Sequence, residues 1–207
     1  MSNHNEHFRP LRGGIVIVAR TASNFGTLGM VVTKTGLDRW GLTCGHVLGP
    51  LAGPVPNADP VFQPDNSAPT FRVGQTDSAL ADATLDCAAF KIDTSVTVSK
   101  DLVGIGTPAA PIPPATGMRV IKSGRSTEIT EGIISGITGA KVEITLRTGY
   151  PDAYDLSEPG DSGAVWLERS TLAPVALHRQ GTHSGPSVAF ASDINAVLTK
   201  LGLSMLP

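Results

Sequence analysis

An all-β fold is the class this sequence predicts, and three observations carry it. Gly (23) and Pro (16) are frequent in the 207 residues, and charged residues make up 16%, against ~25% in an average soluble domain. Short apolar runs rich in Val, Ile and Thr recur, separated by Gly/Pro/Asn/Asp clusters, which is the pattern of strands and turns. Only the final stretch has helical spacing.

Taken in order, Gly14–Ala19, Gly29–Lys34, Arg39–Thr43, Pro60–Gln63, Phe71–Gln75 and Leu85–Ile92 predict six strands in the first half. Residues 94–117 are broken by proline, which fixes φ and removes a ladder donor, so they read as a connector. Six more runs follow: Met118–Ser123, Glu131–Ile137, Lys141–Leu146, Ala164–Leu167, Pro174–His178 and Val188–Ala191. Ile194, Val197, Leu198 and Leu201 then fall at i, i+3, i+4, i+7, one stripe of a helix. Ser192 or Asp193 would cap its start and Gly202 would end it. Residues 1–12 are polar and expected to be flexible.

Composition excludes several functions. A net charge of −2 lacks the basic surplus of nucleic-acid binding. No apolar run approaches the ~20 residues of a membrane span. The start MSNHNEHFRPLRGG has no apolar core of a secretory signal, and two cysteines make no disulfide framework. A soluble, cytoplasmic protein is expected. Its histidines, at 4, 7, 46, 178 and 183, lack metal-ligand spacing, so neither a metal nor another cofactor is expected.

Three local patterns carry chemistry. Glu158-Pro159-Gly160-Asp161-Ser162-Gly163-Ala164 surrounds a serine with glycines. A serine nucleophile needs a base and donors for the oxyanion that forms, and such a turn aims the Gly160 and Ser162 amides at one spot. His46, in Leu42-Thr43-Cys44-Gly45-His46-Val47-Leu48, ends an apolar run before a Gly/Pro loop, where an imidazole can project into a cleft. Asp86, in Thr84-Leu85-Asp86-Cys87-Ala88-Ala89-Phe90, enters an apolar strand, where an unpaired charge is costly and a partner is required. Asp82 is the competing carboxylate, placed in the preceding loop. Cys44 and Cys87 flank the histidine and the aspartate, either as buried thiols or as a bridge.

Together the three give the chain order His, Asp, Ser, and here the sequence resembles the chymotrypsin/trypsin-like serine endopeptidases. The resemblance spans roughly Gly13 to Leu203 and is nearest to intracellular bacterial-type members. These carry an early Gly-Thr-Leu-Gly turn, here Gly26-Thr27-Leu28-Gly29, and a Gly-Arg-Ser/Thr-Thr turn, here Gly124-Arg125-Ser126-Thr127, followed by Gly132-Ile133-Ile134. The resemblance implies two six-stranded antiparallel β-barrels over residues 13–93 and 118–191, with the connector 94–117 between them. A C-terminal helix within 192–207 and a cleft between the barrels complete the implied fold. It further implies Ser162 as nucleophile, His46 as general base and acid, Asp86 as orienter, and the Gly160 and Ser162 amides as oxyanion hole.

Activated animal trypsins place a new N-terminus against the aspartate before the serine. This chain has no evident activation sequence, so Asp161 needs another partner. Pocket walls are expected near Leu156–Pro159 and Pro174–Ala189, with Leu156, His178, Arg179 and Gly181 as candidate contacts. The stretch Val175–Gly181 resembles the pocket strand of glutamyl-specific endopeptidases, implying a preference for an acidic residue before the scissile bond. The expected partner is a protein or peptide substrate. A protease free in the cytosol must also be restrained, by narrow specificity, by docking to a protein partner or by an incomplete site. The alternative is a catalytically silent or partner-activated binding module on the same fold.

Overall fold

Each of the twelve apolar runs folds as a strand, because the branched side chains of Val, Ile and Thr pack well on a pleated surface. The structure, a computed structural model, describes residues 3–22, 24–36, 38–50, 53–146, 155–182 and 187–207. His183 and part of the Pro174–Ala189 wall lie outside these. In chain order the elements are β1 (Leu11–Gly13), β2 (Ile15–Ala19), β3 (Gly26–Leu28), β4 (Met30–Thr33), β5 (Trp40–Thr43), α1 (Gly45–Leu48), β6 (Pro60–Phe62), β7 (Arg72–Asp82) and β8 (Cys87–Ile92). They continue with β9 (Val98–Leu102), β10 (Arg119–Gly124), β11 (Glu128–Thr138), β12 (Lys141–Thr145), β13 (Val165–Glu168), β14 (Pro174–Gly181), β15 (Val188–Asp193), α2 (Ile194–Leu201) and β16 (Ser204–Met205).

The second half closes into a six-stranded barrel in the order β10-β11-β12-β15-β14-β13. All neighbouring pairs are antiparallel. Its interior is filled by Val120, Ile134, Val142, Ile144, Trp166 and Val175, all without solvent exposure. The first half is a curled sheet of eight strands, β16-β4-β5-β8-β7-β6-β2-β3, which differs from the closed six-stranded ring expected. The six predicted strands run contiguously inside it, while β3 and the C-terminal β16 extend its two ends. Gly29 separates β3 from β4. Gly26-Thr27-Leu28, expected as a turn, is therefore a strand.

Two segments expected to be irregular carry structure. Residues 94–117 contain β9, which pairs in parallel with β1. Residues 3–12, expected to be flexible, include the start of β1 and a buried His4, whose Nδ1 lies 2.8 Å from the Gly124 carbonyl. The helix forms where its stripe predicts. The Asp193 carboxylate accepts the Asn195 amide at its start, Gly202 ends it at φ 63°, and Ile194, Val197, Leu198 and Leu201 are its buried face. No described helix is long and apolar enough to cross a membrane. A second core cluster joins β2, β4, β5 and β8 to the outward-facing Ile121, Val165, Leu167 and Leu177 of the closed barrel, and α2 packs into the same cluster. The seam between the two halves is thus apolar and continuous, and it fixes the relative position of the loops that cross it.

Candidate active site

Strand β5 ends at Thr43, and the chain turns at Cys44 into the single turn of α1, which carries His46. Asp86 lies in the tight connection from β7 to β8, immediately before Cys87. It adopts φ 46°, the left-handed region that aspartate tolerates better than most side chains. Its carboxylate accepts twice from His46: Oδ1 from the amide at 3.2 Å and Oδ2 from the imidazole Nδ1 at 2.8 Å. An ionised carboxylate only accepts, so the Nδ1 proton points at it and Nε2 is left as the basic nitrogen. Asp82, the competing carboxylate, is engaged elsewhere. It accepts the Leu85 amide at 2.8 Å and lies 3.2 Å from the Lys200 ammonium of α2.

The serine turn is carried by the second half and cradled by the first. The Thr27 amide donates to the Ser162 carbonyl at 2.8 Å, and its hydroxyl donates to the Gly160 carbonyl at 2.8 Å. A side chain at Gly29 would overlap the Gly163 carbonyl, and one at Gly163, which sits at φ 96°, would overlap Thr43 Oγ1 and the Thr27 carbonyl. Gly29 and Gly163 are therefore required by the contact between the first half and the serine turn. Neither the Gly160 nor the Ser162 N–H donates to an acceptor among the described residues. A pair of uncommitted amides beside a serine is the donor set an oxyanion needs.

The partner missing for Asp161 is Lys122 on β10. Both side chains have no solvent exposure, and Nζ lies 2.9 Å from Oδ2. Lys122 also donates to Thr127 Oγ1 at 2.7 Å. The carboxylate accepts four further bonds, from the amides of Ser126, Thr127 and Glu158 and from the Thr127 hydroxyl. Burial pushes the Asp161 carboxyl up, but the Lys122 charge and these donors outweigh it and hold it below the usual carboxylate range. The Gly124–Thr127 turn is thereby the clamp on the residue before the serine. Sequence reasoning missed Lys122, although the signal was present. Like Asp86, it is a charge inside an apolar run, which demands a partner.

A cleft of about 950 Å³ has His46, Asp86, Ser162 and Arg179 in its wall. The structure bonds His46 to Asp86. The Ser162 hydroxyl instead donates to the Arg179 carbonyl at 2.8 Å. Rotation about one side-chain bond redirects a serine hydroxyl.

The expected pocket residues are placed differently from one another. Leu156 is buried in the barrel core, its carbonyl accepting from Thr130 Oγ1 and its amide donating to Ser187 Oγ. His178 is buried too, with the Trp166 Nε1–H directed at its Nδ1 at 3.4 Å. Burial, then the Lys122 charge, pushes the His178 ring down to about 3, so it is neutral at physiological pH with its proton on Nε2. The Arg179 guanidinium faces Asp86, with Nε 3.7 Å from Oδ2. Gly181 lies against Ser157, whose hydroxyl a Cβ there would overlap.

Cys44 and Cys87 are free, buried thiols. Donor atoms of Cys44, His46 and Asp86 lie within 4.8 Å of one another, a set that could approach a metal ion. The chemistry of that set is unfavourable. Burial pushes the Cys44 thiol well above its usual range, its Sγ donates to the His178 carbonyl at 3.0 Å, and the imidazole and carboxylate already bond each other.

No protein-family model matches the sequence, and no curated protein does. Solved structures do match in fold. A glutamic acid specific serine protease, described as using a histidine triad in substrate binding, superimposes with a TM-score of 0.71 at 16% identity over 95% of this chain and 100% of its own. Cellulomonas bogoriensis chymotrypsin gives 0.68 at 18% identity, covering 95% and 98%. Thermobifida fusca protease A gives 0.64 at 20%, covering 95% and 98%. The chain therefore has the chymotrypsin-like double-barrel fold of the serine proteases it is similar to.

Proposed function

We propose that the protein is a serine endopeptidase that hydrolyses peptide bonds through an acyl-enzyme. The observation that carries this is the His46–Asp86 pair, bonded at 2.8 Å in the same cleft wall as Ser162. His46 Nε2 takes the Ser162 proton as the hydroxyl attacks the scissile carbonyl, and the Gly160 and Ser162 amides receive the developing oxyanion. His46 then gives that proton to the leaving amine. Water, activated by the same imidazole, releases the acid. Asp86 holds the ring in the correct tautomer and balances its charge when it is protonated.

For the acidic preference, the support is His178 as a neutral N–H donor, together with the specificity stated for one fold neighbour. The Arg179 charge is directed at Asp86 instead. The second reading, a partner-activated module, is favoured by one observation, the Ser162 hydroxyl bonded to Arg179 rather than to His46. Hydrolysis of a peptide library by the wild type, Ser162→Ala and His46→Ala separates the two. The proposal expects cleavage by the wild type and a loss of roughly 10⁴–10⁶ in kcat in either variant. Equal turnover by wild type and Ser162→Ala would refute it.

A further inference from the structure

Between His178 and Gln180 the ladder from β14 to β15 slips: these residues sit opposite Ala191 and Phe190, which are adjacent on β15. Arg179 is thus the extra residue of a β-bulge, a device that re-aims a side chain and often lies beside a functional site. Its two ends reach two members of the cleft. The carbonyl accepts the Ser162 hydroxyl at 2.8 Å, and the guanidinium Nε lies 3.7 Å from Asp86 Oδ2, with 31% of the side chain exposed. The other contacts of the Asp86 carboxylate among the described residues are both to His46. While that imidazole is neutral, Arg179 is the cation that answers the Asp86 charge. Asp82, in the same cleft, is answered by Lys200.

We propose that Arg179 is a positioning residue of this site, its guanidinium acting on catalysis through Asp86. This rests on the serine-endopeptidase reading. The guanidinium holds the carboxylate in the orientation that meets Nδ1. The carbonyl of the same residue holds the serine hydroxyl in its resting orientation. A single bulge thereby links the serine to the carboxylate oxygen that the imidazole also bonds.

The test compares Arg179→Gln and Arg179→Lys with the wild type on one peptide substrate, each also in the Asp86→Asn background. Arg179→Gln is expected to lower kcat on the order of tenfold with KM little changed, Arg179→Lys to restore most of it, and Arg179→Gln to cost nothing further once Asp86→Asn is in place. Wild-type kcat in Arg179→Gln, a loss confined to KM, or an equal loss in the Asp86→Asn background would each overturn the proposal. The low-field proton resonance of the His46–Asp86 hydrogen bond supplies a readout independent of turnover. It is expected to move in Arg179→Gln and to return in Arg179→Lys, and a resonance unmoved in both overturns the role of Arg179. An inactive wild type with a responsive resonance would instead refute only the endopeptidase reading.

Discussion

Replacing Lys122 with methionine keeps an unbranched stem, one atom shorter, and deletes the charge beneath the serine turn. The partner left behind, Asp161, has no solvent exposure, so water cannot take the ammonium's place. Removing one member of such a buried pair costs about 3–5 kcal/mol, because the remaining charge is uncompensated. An unfolding entropy of ~2.1 cal/mol/K per residue gives roughly 0.43 kcal/mol/K for a chain of this length, so the melting temperature should fall by about 7–12 °C. Four hydrogen bonds to Asp161 survive the substitution and favour the lower part of that range. The pH dependence has a definite sign. Asp161 has a lowered carboxyl in the fold, so its contribution is full above the unfolded value of ~3.9 and is lost as pH falls through its own lower one. Without the ammonium that carboxyl is depressed less, so the gap in stability between wild type and variant should narrow as pH falls. With the clamp loosened, the Gly160 and Ser162 amides lose their fixed aim, and kcat should drop by roughly 10²–10³, the scale of a lost oxyanion donor. Thermal melts by circular dichroism at pH 7 and pH 3, with turnover on a peptide substrate, measure all three effects. A melt within about 2 °C of the wild type, with kcat unchanged, would refute the clamp.

Asp86→Asn should fold normally and lose about 10⁴ in kcat, since an amide cannot both accept from Nδ1 and balance the charged ring. Steady-state kinetics beside an unchanged melt check this, and a loss below tenfold would contradict it. Gly163→Ala forces a left-handed backbone onto alanine and drives a methyl into Thr43 and Thr27. It should cost roughly 1–3 kcal/mol and most of the activity, whereas a wild-type melt and rate would show that the barrel contact is looser than described. His178→Ala should depress cleavage after Glu and Asp selectively in a peptide library. An unchanged profile removes the acidic preference.

How legible this protein was in its sequence depended on how its residues announce themselves. Lys141–Thr145 stood out because its buried face repeats every second residue, and Ile15–Ala19 because it is a short unbroken apolar run bounded by turn residues. Val98–Leu102 did not, since a polar VSKDL strand paired at an edge buries little. Strand β7 was half seen: its apolar start marks Phe71–Gln75, but polar, partly exposed Asp77 and Ser78 hide its continuation to Asp82. Gly26-Thr27-Leu28-Gly29 looked like a turn, because its glycines suggested bends, when instead Gly26 makes room for Val47 and Gly29 admits the serine turn from the other half. At the site, the bond between His46 and Asp86 was legible because a carboxylate entering an apolar strand needs a partner. Long-range directions were not. Pattern alone could not say that Leu156 fills the core, that a bulge swings Arg179 onto Asp86, or that Lys122 on β10 reaches Asp161.

The central claim is that Ser162 is a nucleophile activated by His46, and covalent labelling reads it most directly. A peptidyl phosphonate or fluorophosphonate, incubated with the folded wild type, should add one equivalent by intact mass. Peptide mapping should locate the adduct on Ser162, and His46→Ala should slow its formation by orders of magnitude. Absence of an adduct on the folded protein, or one placed on another residue and indifferent to His46, would contradict the account.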